Sequence, residues 1–573
     1  MFERAVEWCA RRRGLMVVVA LCLALGGAVA IRESPVDAIP DLTDTQVIVF
    51  TEWMGRNPQL VEDQITYPLV TSFVSAPNVK TVRGFSMFGM SFVYVIFDDG
   101  TDPYWARSRV LEYLSKAQGQ LPAGVTPTLG PDATGSGWVF QYVLTDRTGK
   151  HSLQELRAFQ DFTLRYALAK VPGVAEVASV GGFEKQYQVV VDPARLAAFG
   201  VTLPEVIAAV QRSNRDVGGS VIEWGGREYV FRGLGYVKAK EDLEKVAVKV
   251  GDRGTPVRLA ELGRVEIGPE IRRGLLEWNG EGEAVGGIVV MRSGENALEV
   301  IDRVKARLAE LEPSLPDGVE VVIAYDRSGL IEGSIDTLRM ALSEEMIVVL
   351  LFVAFFLLHL RSTLVAFVTL PVSLLASFIA TWASGVPLNI MSLGGLIIAI
   401  GDMVDATVVL VENAHRRLER EGASRPRAEI VIDAARELAR PLFSSLLIIA
   451  VSFLPVFALE AQEGRLFRPL AVSYVFAMVS AAIVSVTIGP AFMVLLIRGK
   501  IRSERANPVN RAAIAVYRPV LGALLRHRGL VLVGALGLVA TTVWPIQKTG
   551  SEFMPPLDEG SLLYMPVTLP NIS

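Results

Sequence analysis

The chain has 573 residues, 51% of them hydrophobic and only 20% charged, with a mean hydropathy of +0.39, which is too apolar for an ordinary soluble protein of this size. A formal net charge of -4 supplies no concentrated basic patch, so nucleic acid is set aside as a partner. Cys9 and Cys22 are the only cysteines, and they suggest neither a disulfide framework nor a thiolate metal site.

The opening "MFERAVEWCARRRGLMVVVALCLALGGAVAI" joins a basic flank to an apolar run longer than a typical signal core, and "GGAVAIRESP" is a mediocre cleavage site. Residues 1–31 therefore read as an N-terminal segment and an uncleaved first transmembrane helix, with Arg11, Arg12 and Arg13 on the cytoplasmic side. Residues 32–336 have soluble character. There "TQVIVFTEW", "PQLVEDQITYPLVTSFVSA", "KTVRGFSMF", "MSFVYVIFDD" and "PYWARSRVLEYLSKAQGQL" run strand, helix, two paired strands, helix. The pattern returns with "WVFQYVLTD", a helix around "LQELRAFQDFTLRYALAK", "VAEVASVGG", "KQYQVVVD" and a helix at "LPEVIAAVQRSN". "SAPNVKTVRG" and "AKVPGVAEVASVGG" both join helix to strand through a proline and a branched apolar pair, so duplicated α+β modules are expected. Unrelated α+β segments sharing common turn chemistry are the alternative.

Residues 337–498 change character. Apolar runs at 341–360, 363–384, 391–411, 441–460 and 470–498, and another at 529–547, are each long enough to cross a bilayer, giving seven spans with the first. The flanks predicted cytoplasmic, "HLRS", "HRRLEREGASRPR" and "RGKIRSERANPVNRAA", are richer in Lys and Arg than "ASGVPLN", "EAQEGRLFRP" and "KTGSEFMPP", which are predicted outside. Residues 499–528 form the expected cytoplasmic connector, and 548–573 the start of a second outer region. This layout reads as one half of a duplicated transporter plus one helix, in a truncated chain.

The fourth span, "IIAIGDMVDATVVLVENAH", holds Asp402, Asp405 and Glu412 on roughly one helical face. An ionised carboxylate in hydrocarbon costs at least about 2.5 to 3.5 kcal/mol, so such residues usually face a bundle interior and often serve an ion or proton path. Low-dielectric burial raises a carboxylate's proton affinity, which is the chemistry of a proton carrier. The structural alternative is pairing with basic residues of neighbouring helices, capping for Asp402, and contact with water for Glu412. Met391 lies fourteen residues before Asp405, about 21 Å along the axis and near the same face. Met54, Met87 and Met90 read first as core side chains, with soft-metal contact as the alternative. Thioethers suit Cu(I) or Ag(I) and have little affinity for Zn(II). His151, His359, His415 and His527 form no clustered ligand motif.

From "SPVDAIPDLTDTQV" through "PLNIMSLGGLIIAIGDMVDATVVLVENAH" to "SEFMPPLDEGSLLYMP", the chain resembles the inner-membrane pump subunit of the resistance-nodulation-division superfamily, in its heavy-metal efflux branch. The resemblance implies a multi-pass α-helical membrane protein with a large periplasmic α+β porter and docking region of repeated ferredoxin-like modules. It implies a homotrimer in the bacterial inner membrane, joined to a periplasmic adaptor and an outer-membrane channel, and twelve spans in the full family chain. It also implies proton antiport, with Cu(I) or Ag(I) as cargo and no permanently bound cofactor. Divalent-cation exporters carry an aspartate six positions before the one matching Asp405. Here that position is Ala399, as in the copper and silver group, which this chain also resembles at Met391, Met403 and Asp405. By the same likeness Met565 matches the first of three periplasmic metal-binding methionines, and Met478 of the sixth span joins the methionine path. Asp402 departs from the small residue usual in that group, as a second proton site or a residue that broadens the ion accepted.

The expected function is proton-driven efflux of Cu(I) or Ag(I), with Asp405, Asp402 and Glu412 as proton relay and Met565, Met391, Met403 and Met478 as metal contacts. The alternatives are export of divalent cations, export of organic compounds, which calls for an aromatic pocket, and a non-transporting truncated scaffold in which the carboxylates only pack.

Overall fold

The computed structural model describes residues 2–251, 254–271, 274–357, 359–421, 425–498, 508–550 and 560–566. They divide into two compact units, Met1–Val139 with Met291–Arg303 and Tyr325–Ser573, and Phe140–Val290 with Val304–Ala324.

In the first unit, β1 (Gln46–Glu52), a helix from Pro58 to Phe73, β2 (Val79–Met87), β3 (Met90–Phe97), the helix Pro103–Ala117 and β4 (Thr128–Leu129) form one module. Its antiparallel sheet has the order β2-β3-β1-β4, the ferredoxin-like arrangement. Strict alternation in β1 buries Val47, Val49 and Thr51 on one face. That face meets Ile65, Leu69, Phe73, Ala106 and Val110 of the two helices. Each helix starts on a cap followed by proline: Leu60 N donates to Asn57 Oδ1 at 2.8 Å, and Trp105 N to Asp102 Oδ1 at 2.7 Å.

The second module repeats the plan with an insertion. It runs through β5 (Trp138–Asp146), a helix from Leu153 to Ala169 and β6 (Val174–Gly181). Six strands follow before the sheet resumes: β7 (Lys185–Val191), β8 (Val217–Trp224), β9 (Arg227–Gly233), β10 (Ala247–Val250), β11 (Pro256–Arg258) and β12 (Gly263–Pro269). Then β13 (Val285–Met291), the helix Ala297–Leu311 and β14 (Val319–Asp326) complete the module. Its sheet order, β14-β5-β13-β6, is the order of the first module strand for strand. Both first helices also carry a π-helical turn, at Glu62–Thr66 and Gln160–Leu164. Each turn sends a polar side chain into its sheet. Thr66 Oγ1 lies 2.8 Å from both Ser86 Oγ and Ser91 Oγ, and Gln160 accepts from Tyr142 Oη at 2.9 Å.

One expectation is corrected here. "KQYQVVVD" and the helix at "LPEVIAAVQRSN" are not the third strand and second helix of the repeat. β7 pairs with β12 from Gly263↔Val191 to Pro269↔Lys185, inside an inserted subdomain with its own core of Val201, Val206, Leu259 and Leu262. Local alternation marks a strand but does not choose its neighbour, and here the neighbour is remote in sequence.

Among the described residues six helices are long and apolar enough to span a membrane: Arg13–Glu33, Arg361–Ala383, Ile390–Glu421, Arg427–Ala458, Ala461–Leu496 and Arg528–Lys548. The 30-residue helix Ser328–Leu357 carries most of the remaining predicted run. It starts on Asp326, whose Oδ1 accepts from Ser328 N at 2.9 Å and Ser328 Oγ at 2.7 Å, so the boundary expected at 336 falls inside a continuous helix. Ahead of the first span, Phe2–Arg11 is a separate amphipathic helix with Val6, Cys9 and Ala10 buried. It is held by Arg436, whose guanidinium lies 3.3 Å from Glu3 and 3.6 Å from Glu7.

Candidate functional site

The Ile390–Glu421 helix begins on a reciprocal cap, with Ser392 N donating to Asn389 Oδ1 at 2.9 Å and Asn389 N to Ser392 Oγ at 2.8 Å. Its outer end is also pinned from a distance. Leu388 N donates to Pro35 O at 2.9 Å, Asp37 N to Leu388 O at 3.0 Å and Ile390 N to Ala38 O at 3.1 Å, so the "SPVDA" and "PLNI" stretches quoted above meet. Burial raises the Asp37 carboxyl above its ordinary range, opposed by the Arg327 guanidinium 3.5 Å away.

One turn into the helix, a Cβ on Gly395 would stand 2.4 Å from Leu470 O, so glycine permits the close approach of the Ala461–Leu496 helix. Behind it Leu396, Ala399, Met403 and Ala406 recur at helical spacing and pack in one core with Tyr474, Ala477, Met478 and Ala481. Met403 and Met478 are 2% and 0% exposed, so both sulfurs belong to this dry seam. Ala399 is fully buried there as well, in the position where the resemblance places an aspartate in divalent exporters.

The three carboxylates have separate surroundings. Asp402 is half-buried at the edge of the seam, where its Oδ2 accepts a 2.6 Å hydrogen bond from Tyr474 Oη. The Tyr474 ring stacks on Phe453 at 4.0 Å between centroids. Asp405 is exposed, with no hydrogen bond or ion pair among the described residues. Glu412 pairs with Arg416 at 2.6 Å across one helical turn. Met391 is half-buried in the first turn, and Met565 is 67% exposed in the irregular stretch 560–566.

Met54 and Met87 correct another expectation. They are 47% and 46% exposed and Met90 is half-buried, because all three sit at the turn end of the β2–β3 hairpin, clear of the core face that the helices cover.

Several polar groups escaped the sequence reading. Thr369 Oγ1 and Thr407 Oγ1 lie 3.3 Å apart between two buried helix faces. Ser362 Oγ stands between His359 Nδ1 at 2.7 Å and His415 Nε2 at 2.5 Å, and His359 Nε2 donates to Arg498 O at 3.0 Å. Arg465 binds Leu42 O at 2.8 Å, Asp44 Oδ1 at 2.6 Å and Asp99 Oδ1 at 2.5 Å. Thr369 stands alone in the apolar run "LVAFVTLPV", where only the odd polar residue marks it.

Membrane-spanning helices, one with carboxylates within its apolar length, together with two α+β modules of one topology, define a multi-pass membrane protein. The chain belongs to the AcrB/AcrD/AcrF family, which matches residues 6–573. It is 52% identical over 580 residues to the cation efflux system protein CusA of Escherichia coli K12, covering 99% of this chain and 55% of that one. It is 50% identical to the putative cation efflux system protein SilA of Salmonella typhimurium with the same coverage, and 35% identical to the cation efflux system protein CzcA of Alcaligenes sp. strain CT14. A crystal structure of a heavy metal efflux pump aligns with a TM-score of 0.79 at 30% identity, covering 94% of this chain and 52% of the other. The chain thus spans about half the length of the curated relatives it matches. The identities set it nearer to CusA and SilA than to CzcA, as a multi-pass inner-membrane protein.

Proposed function

We propose that this chain forms part of a proton-driven exporter of soft monovalent metal ions, Cu(I) or Ag(I). It works as the inner-membrane subunit of a homotrimeric pump joined to a periplasmic adaptor and an outer-membrane channel. Asp405 takes up the coupling proton, Asp402 is a second proton-binding group set by Tyr474, and Glu412 serves the cytoplasmic end. Met565 receives the metal outside the membrane, and Met391, Met403 and Met478 form a thioether path along the Ile390–Glu421 helix.

The observation that carries the reading is the seam in which the Met403 and Met478 thioethers are buried beside Ala399. Such a lining suits a soft monovalent ion and repays little of the hydration of a divalent one. Coupling needs a carboxylate whose proton affinity differs between two conformations, and Asp402 and Asp405 flank that seam on the same helix. A divalent cargo is the second reading, favoured by the extra carboxylate of Asp402.

The test is metal flux in proteoliposomes bearing the complete pump under an imposed proton gradient, with Ag(I) in one arm and Zn(II) in the other. Flux of Ag(I) alone, lost in Asp405→Asn, is expected. Zn(II) flux would transfer the protein to the divalent group, and unchanged flux in the variant would remove Asp405 from the proton path.

A further inference from the structure

The turn end of the β2–β3 hairpin gathers three thioethers that the transport path above does not use. The strand register sets Met87 opposite Met90, and Met90 opposite Glu52 of β1, so Glu52, Met90 and Met87 form one row across three strands. Residues directly opposite on one face have Cβ atoms about 4.5 to 5.5 Å apart, within reach of methionine side chains on a shared ion. Ser91 and Thr51, the next residues along, are fully buried, so this row lies on the face away from the helices.

Met54 is brought to the same place by the loop after β1. Trp53 N donates to Gly89 O at 2.8 Å and Gly89 N to Arg56 O at 2.9 Å, which lashes residues 53–56 onto the two-residue turn Phe88–Gly89. A Cβ on Gly89 would stand 3.0 Å from Met54 Cα and 3.1 Å from its Sδ, and Gly89 has a φ of 67°. Glycine therefore serves twice, by making the turn and by letting the Met54 sulfur lie across it.

We propose that Met54, Met87 and Met90 form a surface site for a soft monovalent cation, Cu(I) or Ag(I), with the Glu52 carboxylate favouring the positive charge. Tight hairpin turns ordinarily carry Gly, Asn, Asp or Ser, and long apolar side chains left in water there gain no burial. The thioether is flexible and polarisable, so the three sulfurs reorient around an ion without a rigid cage. It prefers soft ions over Zn(II). Capture of cargo outside the membrane is the use this site has if the export reading holds. Binding itself rests only on the three side chains, and binding is what the experiment reads, so failure of flux and failure of this site are told apart.

The chain, reconstituted with its methionine methyl groups 13C-labelled, is titrated with Ag(I) and separately with Zn(II). The signals of Met54, Met87 and Met90 are expected to shift together and saturate with one Ag(I), and to ignore Zn(II). Replacing all three with leucine is expected to lower total Ag(I) uptake by one equivalent while leaving the Met391, Met403 and Met478 signals and the thermal midpoint in place. Met87→Leu alone is expected to weaken this site at least about tenfold, no less than the loss of an outer-shell partner costs a metal site. Three signals that move at different Ag(I) concentrations, equal response to Zn(II), or undiminished uptake in the triple variant would overturn the proposal. Leucine nearly conserves volume at these partly exposed positions, so a collapse of the fold is not expected to cloud the result.

Discussion

Tyr474 Oη donates to Asp402 Oδ2 at 2.6 Å, the one hydrogen bond of this carboxylate among the described residues, and it ties the Ile390–Glu421 helix to the Ala461–Leu496 helix. The bond has little water to compete with it, so its loss leaves a half-buried carboxylate short of a partner. Tyr474→Phe is expected to destabilise the protein by about 1 to 3 kcal/mol. Asp402→Ala added to it should cost much less than the sum of the two single changes, since both partners are then gone. A thermal or denaturant double-mutant cycle measures this, and coupling below about 0.5 kcal/mol would mean the bond contributes nothing specific.

Adjacent glycines give a sharper contrast. A Cβ on Gly395 meets Leu470 O at 2.4 Å, whereas one on Gly394 meets nothing within 4 Å. Gly395→Ala must push two helices apart and is expected to cost about 1 to 3 kcal/mol. Gly394→Ala gains helix propensity and is expected to stabilise by about 0.5 to 1 kcal/mol. Unfolding midpoints that move in the same direction for both variants would contradict the packing described.

The contrast between those glycines shows where the sequence is legible. "SLGGLIIAIG" announces an apolar helix through composition and periodicity, but only the position of Leu470 tells which glycine is needed. The same limit applied to the second module. β5, its helix and β6 were readable from local alternation, yet "KQYQVVVD" looked as good a third strand as β13, and sheet membership depends on pairing across the insertion. Helix starts lie upstream of the apolar run where charged residues open a span, as at "RAEIVIDAARELARP" of Arg427–Ser452. Of the candidate site, Asp402 and Asp405 stood out because a carboxylate in an apolar run is costly. Tyr474 did not, because a tyrosine is unremarked in such a run until its partner is seen.

Arg465 links the Ala461–Leu496 helix to the β1 side of the first module through Leu42 O, Asp44 and Asp99. Its hydrogen bond to Asp99 holds that carboxyl below the ordinary carboxylate range. A carboxylate with a lowered folded pKa contributes stability that is present above its unfolded value, near about 4, and is lost as the pH falls through the folded value. Arg465→Met is therefore expected to lower the unfolding midpoint at pH 7, and the gap from the parent protein to narrow in acid. Asp99 is largely exposed, so its share is no more than about 1 kcal/mol after solvent screening. A gap that stays constant from neutral pH to about pH 3 would assign the effect to the Leu42 carbonyl and to packing.

Asp402 and Asp405 lie three residues apart on one helix, but their surroundings imply different losses on neutralisation. Asn at 402 keeps an oxygen that accepts from Tyr474, so the helix seam should survive while one protonatable group is removed. Asp405 has no hydrogen-bonding partner among the described residues, so Asp405→Asn removes a charge and disturbs no bond there. If Asp405 carries the coupling proton and Asp402 tunes it, Asp402→Asn retains gradient-driven Ag(I) flux with a displaced pH profile, whereas Asp405→Asn abolishes flux at every pH. Flux measured from pH 5 to 8 in both variants decides between the roles. Loss of flux in both would make the pair a single titrating unit, and a profile that does not move in Asp402→Asn would reduce Asp402 to a partner for Tyr474.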